Sequence, residues 1–130
     1  MPGPEPFSFE KRARSFRYAW RGLVRVVSTQ HNARIHVIAT VLVVLAGVVA
    51  GVSRHDWALL VLAMVAVWSA EALNTAVEAL GDAVSLDRHE LVGVAKDVAA
   101  GAVLVTAVGS VVIAGLVFWP HVARLARLGR

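Results

Sequence analysis

The sequence predicts an all-α integral membrane protein, with an N-terminal amphipathic helix on the membrane surface and three transmembrane helices. Two observations carry this expectation. Hydrophobic residues make up 58% of the 130-residue chain, and a mean hydropathy of +0.67 is too high for a soluble domain of this size. Three charge-poor stretches, at residues 33–52, 57–80 and 98–119, each reach the roughly 20 residues that cross a ~30 Å hydrocarbon layer. Little chain remains outside them, so residues 1–130 are expected to form a single membrane domain.

Taken in order, Pro2, Gly3, Pro4 and Pro6 make a loose start. Residues 7–30 form the expected surface helix. Phe7, Phe16, Tyr18, Trp20, Leu23 and Val24 supply an apolar side, and Lys11, Arg12, Arg14, Arg17, Arg21 and Arg25 supply the other. Gly22 is expected to interrupt this helix, and residues 29–32 to turn it into the membrane. No short apolar core with a small-residue cleavage site precedes Ala33, so the basic start is expected to be retained. The first span ends near Gly51, and Ser53-Arg54-His55-Asp56 form a short outer loop. Trp57 fits an interfacial anchor for the second span. The third span ends at Trp119-Pro120 and leads to a basic tail, residues 121–130.

The basic residues set the topology. Their excess before the first span places the N-terminus in the cytoplasm of an inner membrane, although Arg124, Arg127 and Arg130 in the tail pull the other way. The pI near 10.7 is explained by cations meeting anionic lipid heads, and no nucleic-acid partner is expected. Cysteine is absent, which excludes disulfides, thiol chemistry and thiolate metal sites.

The second span carries the chemistry. Glu71, Asn74, Thr75 and Glu78 fall at spacings of three, four and seven, on one helical face. An ionisable side chain near a span centre costs roughly 2.5–3.5 kcal/mol to insert. By the helix rise, Glu71 lies about 21 Å and Glu78 about 31 Å beyond Trp57. If Trp57 marks the outer boundary, Glu71 sits inside the inner leaflet and Glu78 at the cytoplasmic surface. One acid is placed to meet a lipid group and the other a water-soluble one.

Three readings of the stripe compete. The acids can pair with arginines of the surface helix and serve only structure. They can line an ion or proton route. Or they can hold magnesium, which binds through one or two carboxylates plus substrate phosphates, for phosphoryl transfer. Asp87, Arg88, His89, Glu90, Lys96 and Asp97 adjoin Glu78 on the same expected face; of these, Lys96 can neutralise phosphate oxygens, and Arg88 or His89 can touch a nucleotide. No phosphate-binding Gly-x-x-x-x-Gly-Lys-Ser/Thr loop and no soluble-kinase signature is present.

The segment Glu71-Ala-Leu-Asn74-Thr75-Ala76-Val77-Glu78 is followed by Asp82, His89-Glu90-Leu91 and Ala95-Lys96-Asp97-Val98-Ala99-Ala100-Gly101-Ala102-Val103. Together with Tyr18-Ala-Trp20-Arg21-Gly22-Leu23 and Asn32-Ala-Arg34-Ile35-His36, it resembles the small prokaryotic diacylglycerol kinase and undecaprenol kinase family. The resemblance implies a homotrimeric membrane enzyme, with sites between protomers, that moves the γ-phosphate of ATP to a lipid alcohol with Mg2+. Carried over by motif, Glu71 is the general base, and Asn74 lines the same site. Glu78 is a metal ligand. Tyr18, Asp87, Arg88, His89, Lys96 and Asp97 are nucleotide contacts. Where the family often has a second metal-binding glutamate, this chain has Gln30, a neutral and weaker oxygen ligand. Asn32-Ala-Arg34-Ile35-His36 and the Lys96-Asp97 motif resemble undecaprenol kinases more than the diacylglycerol enzymes.

Overall fold

The computed structural model describes residues 8–84 and 89–128. Among the described residues all regular structure is helical: α1 (Phe9–Thr29), α2 (His31–Ala50), α3 (Arg54–Val84) and α4 (Glu90–Leu128). α2, α3 and α4 are each long and apolar enough to cross a membrane. The proline-containing start, Phe7, Asp87, Arg88 and Arg130 lie outside the described residues.

α1 begins at Ser8, whose side-chain oxygen accepts a bond from the Lys11 backbone N–H at 3.4 Å, satisfying one open donor of the first turn. Contrary to expectation, α1 runs through Gly22 without a break. A lone helical glycine costs only about 1 kcal/mol, too little to end an otherwise favourable helix. Phe16 and Trp20 stand exposed, on the apolar side that a membrane surface would cover.

The expected four-residue turn contracts to Gln30 alone, an extended residue with φ −94 and ψ 123. Arg34 explains how. Its guanidinium donates to the Ser28 carbonyl at 2.7 Å and the Val27 carbonyl at 3.4 Å. Carbonyls left open at the end of α1 are thereby satisfied from the next helix, and α2 starts at His31.

At the other end of α2, Gly51 takes the left-handed conformation, with φ 63. Gly51 N donates to Val48 O and Val52 N to Gly47 O, both at 3.2 Å, a closure that favours glycine. The expected loop at 53–56 is mostly helix. Ser53 Oγ donates to Asp56 Oδ2 at 2.7 Å and accepts from Asp56 N at 3.1 Å. This reciprocal capping starts α3 at Arg54. α3 also continues through Gly81 to Val84, and α4 passes Pro120 to Leu128. Proline removes one backbone donor, but in apolar surroundings the remaining backbone groups must still pair within the helix.

α3 is the centre of the packing, pressed chiefly against α4 and secondarily against α2. Val52, Leu60 and Val117 form the core near the Gly51 end, with Trp57, Met64 and Phe118 packed around it. Polar ties also join the spans. Ser110 Oγ donates to the Ala63 carbonyl at 3.2 Å, and Trp68 Nε1 donates to Thr40 Oγ1 at 3.1 Å. Elsewhere α2 and α4 turn Val, Leu and Ile outward, as a lipid-facing surface requires.

Gly47 admits the Trp57 indole. A Cβ there would stand 2.8 Å from Cη2 and 2.9 Å from Cζ2, whereas one on Gly22 would meet nothing within 4 Å. Gly47→Ala is therefore expected to destabilise the protein by about 1–3 kcal/mol through overpacking. Gly22→Ala should be neutral or stabilising by up to about 1 kcal/mol. Thermal unfolding of both variants in detergent, followed by tryptophan fluorescence, checks the contrast.

Candidate active site

The acid stripe occupies the buried side of α3 at the end nearest Gln30. Glu71 is 1% exposed and Asn74 6%, while Glu78, one turn further on, is half-buried. They are the two buried polar or charged side chains among the described residues. Periodicity brings them together. Asn74 Nδ2 donates to Glu78 Oε1 at 3.1 Å, the i,i+4 contact that a helix makes available. Thr75, on the same stripe, turns its hydroxyl to the Glu71 carbonyl at 2.9 Å.

Glu78 is reached from a second element. Gln30 Nε2 donates to Glu78 Oε2 at 2.9 Å, so the joint between α1 and α2 is fastened to α3. Gln30 Oε1 is left as an oxygen donor beside the carboxylate.

Glu71 is different. Neither of its carboxylate oxygens has a hydrogen-bond partner, and Asn74 Oδ1 also has none. His36 on α2 places its Nε2 3.9 Å from Glu71 Oε2, beyond hydrogen-bond reach. Among the described residues, neither Glu71 nor Glu78 has a lysine or arginine within ion-pair distance. The reading in which surface-helix arginines neutralise the stripe therefore finds no support there. Arg34 is engaged with the end of α1.

Lys96 lies on the second turn of α4 rather than in a loop, and its ammonium donates to Asp82 Oδ1 on α3. Gly81 makes this possible, because a Cβ there would come within 2.8 Å of Lys96 Cε and 2.9 Å of Val92 Cγ1. Asp82 is 73% exposed and Lys96 35%, so water screens the pair and an incoming anion can compete for the ammonium. His89 precedes α4 and accepts Val92 N and Gly93 N on its carbonyl, at 3.0 and 3.1 Å. Asp97, His89 and Tyr18 are exposed and are not drawn into the Glu71–Glu78 cluster within the single chain. Asp87 and Arg88 lie outside the described residues.

The donor set suits a hard cation. Glu78 carboxylate, Gln30 Oε1 and the unbonded Asn74 Oδ1 are all oxygens, the ligand type magnesium takes. Among the described residues no group of three or more His, Asp or Glu gathers. The protein thus supplies few ligands, which fits an ion that completes its shell with water and substrate phosphates.

Two features were not singled out from the sequence. Gly81 seats Lys96, and His36 faces Glu71. His36 carried the same signal as Glu71, a titratable side chain within an apolar span; Gly81 carried none.

Three apolar helices with a carboxylate–amide cluster toward one end define an integral membrane protein that keeps polar chemistry at the edge of the hydrocarbon layer. Comparison with known proteins makes this specific. Residues 17–118 match the family described as prokaryotic diacylglycerol kinase. The chain is 40% identical over 112 residues to a diacylglycerol kinase of Synechocystis sp., covering 85% of this chain and 64% of that protein. It is 37% identical over 107 residues to an undecaprenol kinase of Bacillus subtilis, covering 82% and 87%. It is 29% identical over 113 residues to a diacylglycerol kinase of Escherichia coli, covering 87% and 93%. The chain belongs to the prokaryotic diacylglycerol kinase family, a family of membrane lipid kinases.

A buried polar group without a partner costs about 1–3 kcal/mol. Replacing Glu71 by Leu is therefore expected to raise the unfolding midpoint in detergent, because it removes a buried polar group that has no partner. A lowered midpoint would mean that Glu71 holds the fold together.

Proposed function

We propose that this protein transfers the γ-phosphate of ATP, with Mg2+, to the hydroxyl of a membrane lipid alcohol, and that undecaprenol is preferred over diacylglycerol. The carrying observation is Glu71, fully buried with both oxygens unbonded. A general base must be free to accept the hydroxyl proton, and a partnered carboxylate would not be.

Glu71 takes the proton of the lipid hydroxyl as the lipid oxygen bonds to the γ-phosphorus, while the bond from that phosphorus to the bridging oxygen breaks and its electron pair leaves on ADP. Asn74 stands between the two acids and bonds to Glu78, fixing that carboxylate. Glu78 and Gln30 hold the magnesium. When bound, the ion neutralises charge on the phosphates. Lys96 exchanges Asp82 for phosphate oxygens. Asp97, His89 and Tyr18 contact the nucleotide, as do Asp87 and Arg88. Since Tyr18 and Asp97 are exposed, a neighbouring protomer can complete the site, in keeping with the proposed homotrimer. The chain sits in the inner membrane with its N-terminus in the cytoplasm, where ATP is found.

Support for undecaprenol comes from Asn32-Ala-Arg34-Ile35-His36 and from the Bacillus subtilis relative, named as an undecaprenol kinase. The diacylglycerol reading rests on the more identical Synechocystis relative. Apolar contacts alone discriminate poorly between such chains.

Purified protein given ATP, Mg2+ and either lipid is expected to phosphorylate undecaprenol with the higher kcat/KM. A higher value for diacylglycerol reverses the substrate assignment, and no product from either lipid removes the kinase reading. Glu71→Gln should lower kcat by about 10²–10⁴-fold, the usual worth of a general base, with ATP binding retained. Glu78→Gln should shift the Mg2+ titration to higher concentration. An unchanged titration would show that Glu78 is not a ligand.

A further inference from the structure

Residues 119–128 of α4 lie beyond the part of the chain that matches the kinase family, which ends at residue 118. They carry the helix past Trp119 and Pro120 at the end of the bundle where Val52, Leu60 and Val117 form the core. At about 100° per residue, Val122, Leu125 and Ala126 share one side of this extension, and Arg124 and Arg127 the other. Val122 and Leu125 are 56% and 70% exposed, and both arginines are exposed. Neither arginine forms an ion pair among the described residues.

The charge balance at this end is one-sided. No acid follows Asp97 in the sequence, and Asp97 lies about 40 Å along the helix from Arg124. Asp56, in the first turn of α3, already accepts hydrogen bonds from the Ser53 backbone N–H and hydroxyl. Arg54, which opens α3, is exposed as well. α3 and α4 run antiparallel, since Ala63 meets Ser110 and Asp82 meets Lys96. Arg54 and Arg124 therefore stand at one level, about 9 and about 10 Å past Leu60 and Val117. Trp119 suits the edge of the hydrocarbon, and Arg124 and Arg127 follow it by about 8 and about 12 Å. The headgroup layer on one side of a bilayer is about 5–8 Å deep, and an arginine can bend its head back along its own stem. Both guanidiniums thus reach the depth of lipid phosphates.

We propose that this extension is an anchor for acidic phospholipid, in which Arg124 and Arg127, with Arg54 at the same level, bind headgroup phosphates in the leaflet at the Gly51 end of the spans. A guanidinium matches the paired oxygens of a phosphate. The apolar side decides between a lipid and a soluble anion. A soluble anion would satisfy the arginines and leave Val122 and Leu125 in water, whereas lipid supplies phosphate to one side and the acyl boundary to the other. The surface is separate from the proposed transfer site, because Glu78 lies about 27 Å along α3 from Leu60 in the opposite direction. Its ligand also differs, being a lipid that already carries charge and not an alcohol.

The chain has no cysteine, so Ala126→Cys carries a single bimane label beside Leu125 in the full-length protein. Phosphatidylglycerol is titrated into phosphatidylcholine nanodiscs at low salt while the label's emission is followed. The emission is expected to move to the blue as the extension settles among the headgroups. Salt at about 1 M, where the Debye length is ~3 Å, should weaken the shift. Arg124→Gln and Arg127→Gln should each lower the apparent affinity for phosphatidylglycerol about fivefold, and the double variant further. No shift in the labelled parent, or an equal shift in the double Gln variant, overturns the proposal. So does the same shift produced by inorganic phosphate in pure phosphatidylcholine discs, which would mark a soluble-anion site. Should the double Gln variant fail to fold, Arg124→Lys with Arg127→Lys and each single Gln variant decide. The Lys pair keeps the charge and must keep a salt-sensitive shift, and single Gln variants with unchanged affinity overturn the proposal.

Discussion

A carboxylate in an apolar helix is the constraint around which this protein is arranged. Water would solvate it and a guanidinium would pair with it, yet the fold supplies Glu71 with neither. Burial without a partner is unfavourable, and the surrounding structure must over-determine the position for it to persist. α3 does this. It is the helix against which both other spans pack, and Glu71 lies on its buried side in continuity with Leu60, Ala63 and Val67. Glu71 is thus mounted on the helix at the centre of the packing.

Glu78 is treated differently although it lies only two turns away. Its two oxygens accept from two amides, Asn74 and Gln30, which are neutral donors and leave its charge uncancelled. Neutral donors orient a carboxylate without neutralising it, an arrangement suited to a group that must still attract a cation. Two chemically identical side chains on one stripe are given distinct surroundings by burial and by neighbours.

Much of this was legible from residue spacing. Three apolar runs and the period of the helix were enough to place Glu71, Asn74 and Glu78 on one face. What spacing did not show was where helices begin and end, because those limits are decided by single hydrogen bonds. Ser53 and Asp56 cap α3 from within what reads as a polar loop. Arg34, which reads as a membrane-edge charge, closes α1 instead. Pro120 and Gly22 read as breaks and are not, since a long helix absorbs one unfavourable residue. Cross-helix neighbours were equally hidden. That Lys96 meets Asp82 across Gly81, and that His36 faces Glu71, depends on how α2 and α4 rotate against α3, which no one-dimensional pattern specifies.

The joint between α1 and α2 is a single residue, and that residue is also the one whose amide grips Glu78. Arg34 ties the last carbonyls of α1 to α2, so the two helices are joined by hydrogen bonds as well as by the chain. What holds the surface helix in place therefore also holds the Glu78 carboxylate, through one shared amide.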